Sequence, residues 1–310
     1  MQVNSMKQIE TGSFRTASEA LSFRDAFHLV SWNVNRGQHL NEVIEFLAGA
    51  RADVILLQET DVNARRTNCR NIALEVAKAL QMNYVFGSEF EELAQGCCRA
   101  SAYHGQATLS RLPLSNSRLL RFHAQSDFWH PRWFIPKWRF FQRRLGGRMA
   151  LICQIDVAER KLVLYNVHLE SRGKDILRYT QFSELFDDIH QFASDMPVVL
   201  AGDFNFDLCK ESAAAVLRGL QFENPFGYAG RHPSTVNSYL NPSRAIDWIL
   251  TRGPLITSAS KLHDSIRASD HWPLSISFRW SQSNTSTNAV NLDRNPDSPA
   301  AALIKQHHLS

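Results

Sequence analysis

Short apolar runs alternate along the chain with segments in which apolar residues recur every three or four positions. The runs predict buried strands at residues 27–32, 53–58, 197–201, 246–251 and 273–278. The three-to-four spacing predicts helices at residues 39–50, 71–81, 175–192 and 213–220. The middle of the chain is predicted to be rich in strands, at residues 105–110, 117–122, 148–157 and 161–168. Strands that alternate with helices favour an α/β fold.

Six of these segments carry an acidic, amide or imidazole side chain where the apolar run ends. In one of them Gly202 can turn the backbone, and Asp203 and Asn205 follow. Residues two apart on an extended chain point the same way, so both side chains should leave the strand together. An Asx-rich turn after a core strand is the alternative for this segment alone. The other ends carry Asn33 with Asn35, Glu59, His168, Asp247, and Asp270 with His271.

Polar residues at so many strand ends indicate a shared site, because ligands gather where strand ends open into loops. A carboxylate suits a hard cation such as Mg²⁺. A histidine can accept a proton from water near neutral pH, and a buried aspartate can orient it. Amide and imidazole groups can donate to the oxygens of a phosphoryl group. These residue types therefore suit the hydrolysis of a phosphodiester.

The motifs that contain these residues resemble the endonuclease/exonuclease/phosphatase superfamily. That superfamily includes deoxyribonuclease I, the exonuclease III type of abasic endonuclease, neutral sphingomyelinases and inositol polyphosphate 5-phosphatases. The matching motifs occur in the family's order and are Ser31-Trp32-Asn33, Leu57-Gln58-Glu59-Thr60, Asn166-Val167-His168, Gly202-Asp203-Phe204-Asn205, Ile246-Asp247-Trp248 and Ser269-Asp270-His271. The resemblance implies a four-layer α/β sandwich, in which two packed mixed β-sheets are flanked by helices, as in deoxyribonuclease I.

The resemblance also implies a role for each residue. The metal group, expected to hold Mg²⁺ with Mn²⁺ as a substitute, is Glu59, Asp270 and Asn33. The catalytic group is His271, Asp247, which orients His271, and His168, Asp203 and Asn205. The substrate-binding candidates are Asn35, His104 and Arg148. Asn35 departs from the exonuclease III branch, where an aspartate is usual. A loop histidine is the alternative for His104, and a surface residue of a hairpin is the alternative for Arg148.

Residues 118–148 form a basic and aromatic insertion with one acid, Asp127. Its cations are Arg118, Arg121, Arg132, Lys137, Arg139, Arg143, Arg144 and Arg148. Such a mixture can grip single-stranded nucleic acid by phosphate contact and base stacking. It can equally make a peripheral membrane contact through residues 123–145, or fold onto the domain with buried aromatic rings. Because the superfamily contains both nucleases and lipid phosphodiesterases, the resemblance implies a phosphodiesterase that acts on nucleic acid or phospholipid, with an inositol-phosphate phosphomonoesterase and a catalytically silent binding module as the alternatives.

Composition adds little to this assignment. The net charge of +4 allows an anionic partner without demanding one. The five cysteines include no CxxC pair, which favours reduced thiols and a cytoplasmic location. No apolar run reaches the length of a membrane span, and the N-terminal residues lack the apolar run of a signal peptide. We expect a monomer with a flexible lead-in at 1–25, a catalytic domain at 26–280 and a disordered tail at 281–310.

Overall fold

The computed structural model describes residues 9–15, 26–97, 100–126, 143–157, 160–227, 232–237 and 242–281. The helices are α1 (Leu40–Ala50), α2 (Ile72–Leu80), α3 (Asp175–Ile189) and α4 (Glu211–Gly219). The strands are β1 (Ile9–Ser13), β2 (Phe27–Arg36), β3 (Val54–Val62), β4 (Asn83–Cys97), β5 (Ala100–Ser110), β6 (Ser115–Arg121), β7 (Arg144–Gly146), β8 (Met149–Val157), β9 (Arg160–His168), β10 (Val198–Asp203), β11 (Asp247–Arg252), β12 (Leu255–Leu262) and β13 (Leu274–Trp280).

Within the described residues these strands form two sheets. The first has the order β1-β4-β5-β3-β2-β13-β12, with β7 paired to β4. The second has the order β11-β10-β9-β8-β6. Both sheets are mixed, because β2 runs parallel to β3 and β9 runs parallel to β10, whereas the other strand pairs are antiparallel.

The alternation of side chains along each strand builds four layers. In β2, Val30 and Trp32 pack with α1 and α2 on the outer face of the first sheet. Leu29 points the other way, into a core that both sheets share. The outer face of the second sheet packs against α3, for example through Tyr165 and Phe186. The predicted four-layer α/β sandwich is confirmed.

The strongly periodic elements lie where the pattern predicts them. The four predicted helices and the hairpin of β8 and β9 are present within a few residues of the expected bounds. The sequence pattern does not predict the strands β1, β4, β7 and β12. One of them, β1, lies inside the expected flexible lead-in and pairs with β4 from Ile9 opposite Gly87 to Ser13 opposite Asn83. Residues 9–13 therefore correct that expectation, because they complete the edge of the first sheet.

A disulfide between Cys69 and Cys97 corrects the prediction of reduced thiols. The pattern of the chain hides this pairing, because the two cysteines are 28 residues apart. A short 3₁₀ turn places Cys69 beside the end of β4, where Ala64 pairs with Gly96. Cys153 is a buried free thiol. Since disulfides persist mainly in oxidising compartments, the argument from the cysteines for a cytoplasmic location no longer holds.

The two ends of the basic and aromatic insertion are folded onto the domain. Arg118 makes a bidentate ion pair with Asp188 of α3, with nitrogen–oxygen distances of 2.9 and 2.6 Å. Arg144, at the other end, lies 2.6 Å from Glu92 of β4. Residues 127–142 of the insertion, and the tail from 282 onward, lie outside the described residues. None of the described helices is both long and apolar enough to span a membrane.

Candidate active site

Three predicted site residues lie side by side because of the register of the second sheet. Asp203 is the last residue of β10. It stands opposite His168 of the parallel neighbour β9 and opposite Asp247 of the antiparallel neighbour β11. Gly202 just before it has φ +141°, and a Cβ there would lie 2.0 Å from the carbonyl oxygen of Val167. Only glycine fits this close approach, which brings the end of β10 against β9.

Three other site residues depend on left-handed backbone conformations. Glu59 has φ 53° and sits at an irregularity within β3, between Leu57 and Thr60. Asn35 has φ 44° inside β2, and Asn205 has φ 56° just after β10. The prediction that Glu59 ends its strand and that Asp203 and Asn205 share an extended segment is therefore wrong in detail. The left-handed residues nevertheless bring these side chains to the cleft.

His271 forms a buried dyad with Asp247. The His271 Nδ1 lies 2.8 Å from the Asp247 Oδ2, and Ser234 donates to the same oxygen through its hydroxyl. Burial alone would lower the pKa of His271, but the carboxylates of Asp247 and Asp203 outweigh it and raise the pKa to about 10. An isolated histidine has a pKa near neutral, and the second carboxylate, Asp203, contributes to the difference. Its Oδ2 lies 3.9 Å from the His271 Nε2.

Asp203 is buried beneath the cleft and accepts hydrogen bonds from two neighbouring residues. Asn33 donates to its Oδ2 from Nδ2 at 3.1 Å, and the backbone N–H of Asn205 donates to its Oδ1 at 2.9 Å. Burial, reinforced by the carboxylate of Asp247, raises the pKa of Asp203 to about 7. The side chain of Asn205 donates to the carbonyl oxygen of Leu169 at 3.1 Å, which fixes its orientation.

Glu59 and His168 face each other across the cleft floor. The His168 Nε2 is 4.0 Å from the Glu59 Oε1 and 3.7 Å from the Asp203 Oδ2. Burial acts to raise the pKa of Glu59, but the positive charges around it, led by His104, outweigh burial and lower the pKa. Burial, together with the cation of Arg148, holds the pKa of His168 well below its usual value. The imidazole of His168 is therefore neutral near pH 7.

The cleft has a volume of about 730 Å³ and brings together most of the predicted residues. Those that line it are Asn35, Glu59, His168, Asp203, Asn205, Asp270 and His271. Asn33 and Asp247 lie just behind this surface and bond to lining residues. A wider groove of about 1010 Å³ adjoins the cleft at His39 and Arg267, and a smaller one of about 250 Å³ adjoins it at Arg244 and Ile246.

Two substrate-binding candidates are buried and do not line this cleft. His104 lies on β5, 3% exposed, with its Nδ1 2.8 Å from the Asp61 Oδ1 in a network that includes Arg66. Arg148, 3% exposed, donates to the Glu89 Oε2 and to the His168 Nδ1, each at 2.9 Å. Neither residue matches its alternative, a loop histidine or a surface residue of a hairpin.

The donors in the cleft suit a hard divalent cation. The carboxylate of Glu59 is 23% exposed, and Asp270 is exposed at the same cleft, so both can offer oxygens. Ligand atoms of Asp203, Asp247 and His271 also lie within 4.8 Å of one another. In that second group the Asp247 Oδ2 is engaged by His271 and Ser234, and all three residues are buried, so the group is less accessible from the cleft than Glu59 and Asp270. The residues present therefore fit a cation held by oxygen ligands at Glu59 and Asp270.

Sequence reasoning missed several residues that hold the site together. Glu89 is fully buried on β4 and pairs with Arg148. Ser234, also fully buried, bonds to Asp247. Gln58 bridges the two sheets by donating to the Asn166 Oδ1 at 2.8 Å. The glutamine and asparagine stand in the quoted motifs and could have been identified, whereas nothing in the local pattern marks Glu89 or Ser234.

Comparisons with known proteins identify a family and a shared fold. A model of the Endonuclease/Exonuclease/phosphatase family matches residues 30–271. No curated protein matches the sequence. Among solved structures, an endonuclease/exonuclease/phosphatase from Beutenbergia cavernae is 16% identical, with a TM-score of 0.63 over 83% of this chain and 72% of that one.

Two further structures share the fold. TDP2 of D. rerio, humanized by 14 mutations, is 20% identical with a TM-score of 0.58, over 83% of this chain and all of that one. D. rerio TDP2 complexed with a single-strand DNA product is 19% identical with a TM-score of 0.56, over the same shares of the two chains. At these identities the likeness extends to the fold alone.

Proposed function

The chain belongs to the endonuclease/exonuclease/phosphatase family and is a metal-dependent hydrolase acting on phosphate ester bonds, and from this premise we propose that it is a Mg²⁺-dependent phosphodiesterase. One observation carries the proposal. The carboxylates of Glu59 and Asp203 and the imidazoles of His168 and His271 converge in a single cleft. Such a cluster of ionisable groups does not stabilise a hydrophobic core, whereas metal-assisted attack of water on a phosphorus atom uses groups of each of these kinds.

Glu59 and Asp270 would hold the cation, as the carboxylates most accessible to the cleft. When bound there, the cation would neutralise charge developing on the phosphoryl group. Its positive charge would also counteract the effect of the nearby carboxylates on His271 and so lower the pKa of that histidine. His271 accepts a proton from the attacking water through Nε2, since its Nδ1 is engaged by Asp247 at 2.8 Å. Asn205 and His168 donate hydrogen bonds to the phosphoryl oxygens.

The shape of the cleft favours a diester over a monoester. Two grooves adjoin it at different lining residues, and each junction includes an arginine, Arg267 in one and Arg244 in the other. A substrate with a substituent on both sides of the reacting phosphate can place one in each groove, with further phosphates near the two guanidinium groups. A phosphomonoester would leave one groove empty.

Single-stranded nucleic acid is the substrate class that this arrangement fits best. Its backbone repeats the phosphate at intervals, and two separated arginines complement such a chain. The solved D. rerio TDP2 complex contains a single-strand DNA product on the same fold. A phospholipid headgroup is the second candidate, because the tryptophans and phenylalanines of residues 123–145 suit a membrane interface.

The test begins with bis-para-nitrophenyl phosphate, assayed with Mg²⁺, with Mn²⁺ and with EDTA. We expect turnover with either metal and none with the chelator. A panel of single-stranded DNA, duplex DNA, RNA, sphingomyelin vesicles and an inositol phosphate then ranks the substrates by kcat/KM. Single-stranded nucleic acid should rank first. Turnover that persists in EDTA, or that is confined to the inositol phosphate, would contradict the proposal.

A further inference from the structure

Arg148 is hydrogen-bonded to two buried groups that lie close to each other, His168 and Glu89. Its Nη1 lies 2.9 Å from the Nδ1 of His168 and 2.9 Å from the Oε2 of Glu89. Its Nη2 donates to the hydroxyl of Ser171, a residue that lines the catalytic cleft, at 3.2 Å. A guanidinium group carries only donors. The Nδ1 of His168 must therefore accept, and an accepting ring nitrogen carries no proton.

We infer that Arg148 is a positioning residue that fixes His168 as the tautomer with its proton on Nε2, so that the ring presents an N–H donor to the cleft. The inference rests on the proposed phosphodiesterase function for its consequence, but not for its geometry. The Nε2 faces the Glu59 Oε1 at 4.0 Å and the Asp203 Oδ2 at 3.7 Å. Both distances are too long for direct hydrogen bonds, so the N–H remains available to a phosphoryl oxygen.

Glu89 explains why an arginine is required at this position. Its Oε1 lies 3.6 Å from the His168 Nδ1, and its side chain is fully buried. Gln106 holds that oxygen by donating at 2.8 Å. Without Arg148, the unpaired carboxylate would attract a proton to Nδ1 and reverse the tautomer. The guanidinium both neutralises Glu89 and occupies the nitrogen.

The two histidines of the cleft then have opposite tautomers. His271 bonds to Asp247 through Nδ1, so its neutral form carries the proton there and accepts through Nε2. His168 accepts at Nδ1 and donates through Nε2. One ring can therefore take a proton from water while the other stabilises charge on the phosphoryl oxygens. This division of labour follows from the partners of the two Nδ1 atoms.

Arg144 provides a matched control on the same side of β4. Both arginines lie over the ring of Phe90, at 4.9 Å for Arg144 and 5.6 Å for Arg148. Both pair with a buried glutamate of β4. Arg144 lies 2.6 Å from Glu92, and Arg148 lies 2.9 Å from Glu89. Only Arg148, of these two, is hydrogen-bonded to His168. Replacing either by Met removes a cation from a buried glutamate, but only R148M should change the tautomer.

The direct test is long-range ¹H–¹⁵N correlation NMR of the full-length wild-type protein labelled with ¹⁵N, with the His168 signals assigned from H168Q. We expect an unprotonated Nδ1 and a protonated Nε2. R144M should keep this pattern, and R148M should move the proton to Nδ1. A wild-type His168 that is protonated on Nδ1, or on both nitrogens, would overturn the inference without any variant having to fold.

Kinetics with the small chromogenic diester test the consequence. R148M should lose kcat by about 10²-fold, the effect of removing one donor to a developing oxyanion, with KM changed much less. R148K, which keeps a donor near Nδ1, should recover both the wild-type tautomer and most of kcat. A reversed tautomer with unchanged kcat would refute the donor role. Failure of the wild type to hydrolyse any diester would instead refute the proposed function and leave the NMR result standing.

Discussion

The dyad of His271 and Asp247 makes a quantitative prediction about coupled losses. The hydrogen bond from the His271 Nδ1 to the Asp247 carboxylate is 2.8 Å long and buried. A hydrogen bond to a charged group is worth about 1.5–3 kcal/mol. Because about 1.4 kcal/mol of barrier is a factor of ten, Asp247→Asn should lower kcat by about 10- to 150-fold. His271→Ala removes the base itself and should cost about 10²- to 10⁴-fold.

The double variant decides whether the two residues act as a unit. If Asp247 works only through His271, the double variant should be no slower than His271→Ala, because groups that act together give non-additive losses. Ser234→Ala is the matched control, since it removes a neutral donor from the same carboxylate and leaves the charge. It should cost less than about tenfold.

The assay is steady-state hydrolysis of bis-para-nitrophenyl phosphate at saturating Mg²⁺, with thermal unfolding of each variant as the check on folding. Losses that multiply in the double variant would refute the reasoning, because Asp247 would then contribute independently of His271. An equally slow Ser234→Ala would mean that disruption of the local structure, and not the charge of Asp247, explains the losses.

Other predictions test the fold and the insertion. Gly202→Ala should destabilise the protein by about 2–5 kcal/mol in urea unfolding through steric overlap and strain. The control Gly49→Ala, with no atom within 4 Å of the new Cβ, should be neutral or stabilising. Equal effects of the two substitutions on stability would contradict the close approach at Gly202. Cys69→Ser should cost about 3.5 kcal/mol for a loop of this length, and an unfolding midpoint unaffected by reductant would argue against the disulfide. Replacing Arg132, Lys137 and Arg139 by Gln should raise KM for single-stranded nucleic acid. It should also reduce the slope of log affinity against log salt concentration by about 2. An unchanged slope would rule out phosphate contacts by these residues.

The catalytic cluster could be predicted because its residues stand at the ends of apolar runs or inside recognisable motifs. A run of apolar residues predicts a strand such as β10, and Asp203 follows this run after Gly202. The second sheet then aligns Asp203 with His168 and Asp247 through simple strand pairing. Residue type and position were therefore sufficient for these three.

Other parts of the structure depend on contacts that no local pattern encodes. The edge strand β12 is largely exposed, so its sequence lacks the apolar alternation that marks a strand. Glu89 is polar within β4, and its importance arises only because Arg148, just before β8, pairs with it. The left-handed conformation of Glu59 and the pairing of Cys69 with a distant cysteine are likewise tertiary features. The sequence identified the chemistry of the cleft, but not the buried ion pairs behind it.

The most direct test of the central claim is the Mg²⁺ dependence of turnover by Glu59→Gln. Glu75→Gln is the control, because its side chain is similarly exposed, 32% against 23%, but pairs with Arg70 outside the cleft. With the small diester at sub-millimolar Mg²⁺, we expect Glu75→Gln to match the wild type and Glu59→Gln to lose metal-dependent turnover while remaining folded. Wild-type turnover by Glu59→Gln at the same Mg²⁺ concentration would contradict the assignment of the metal to this cleft.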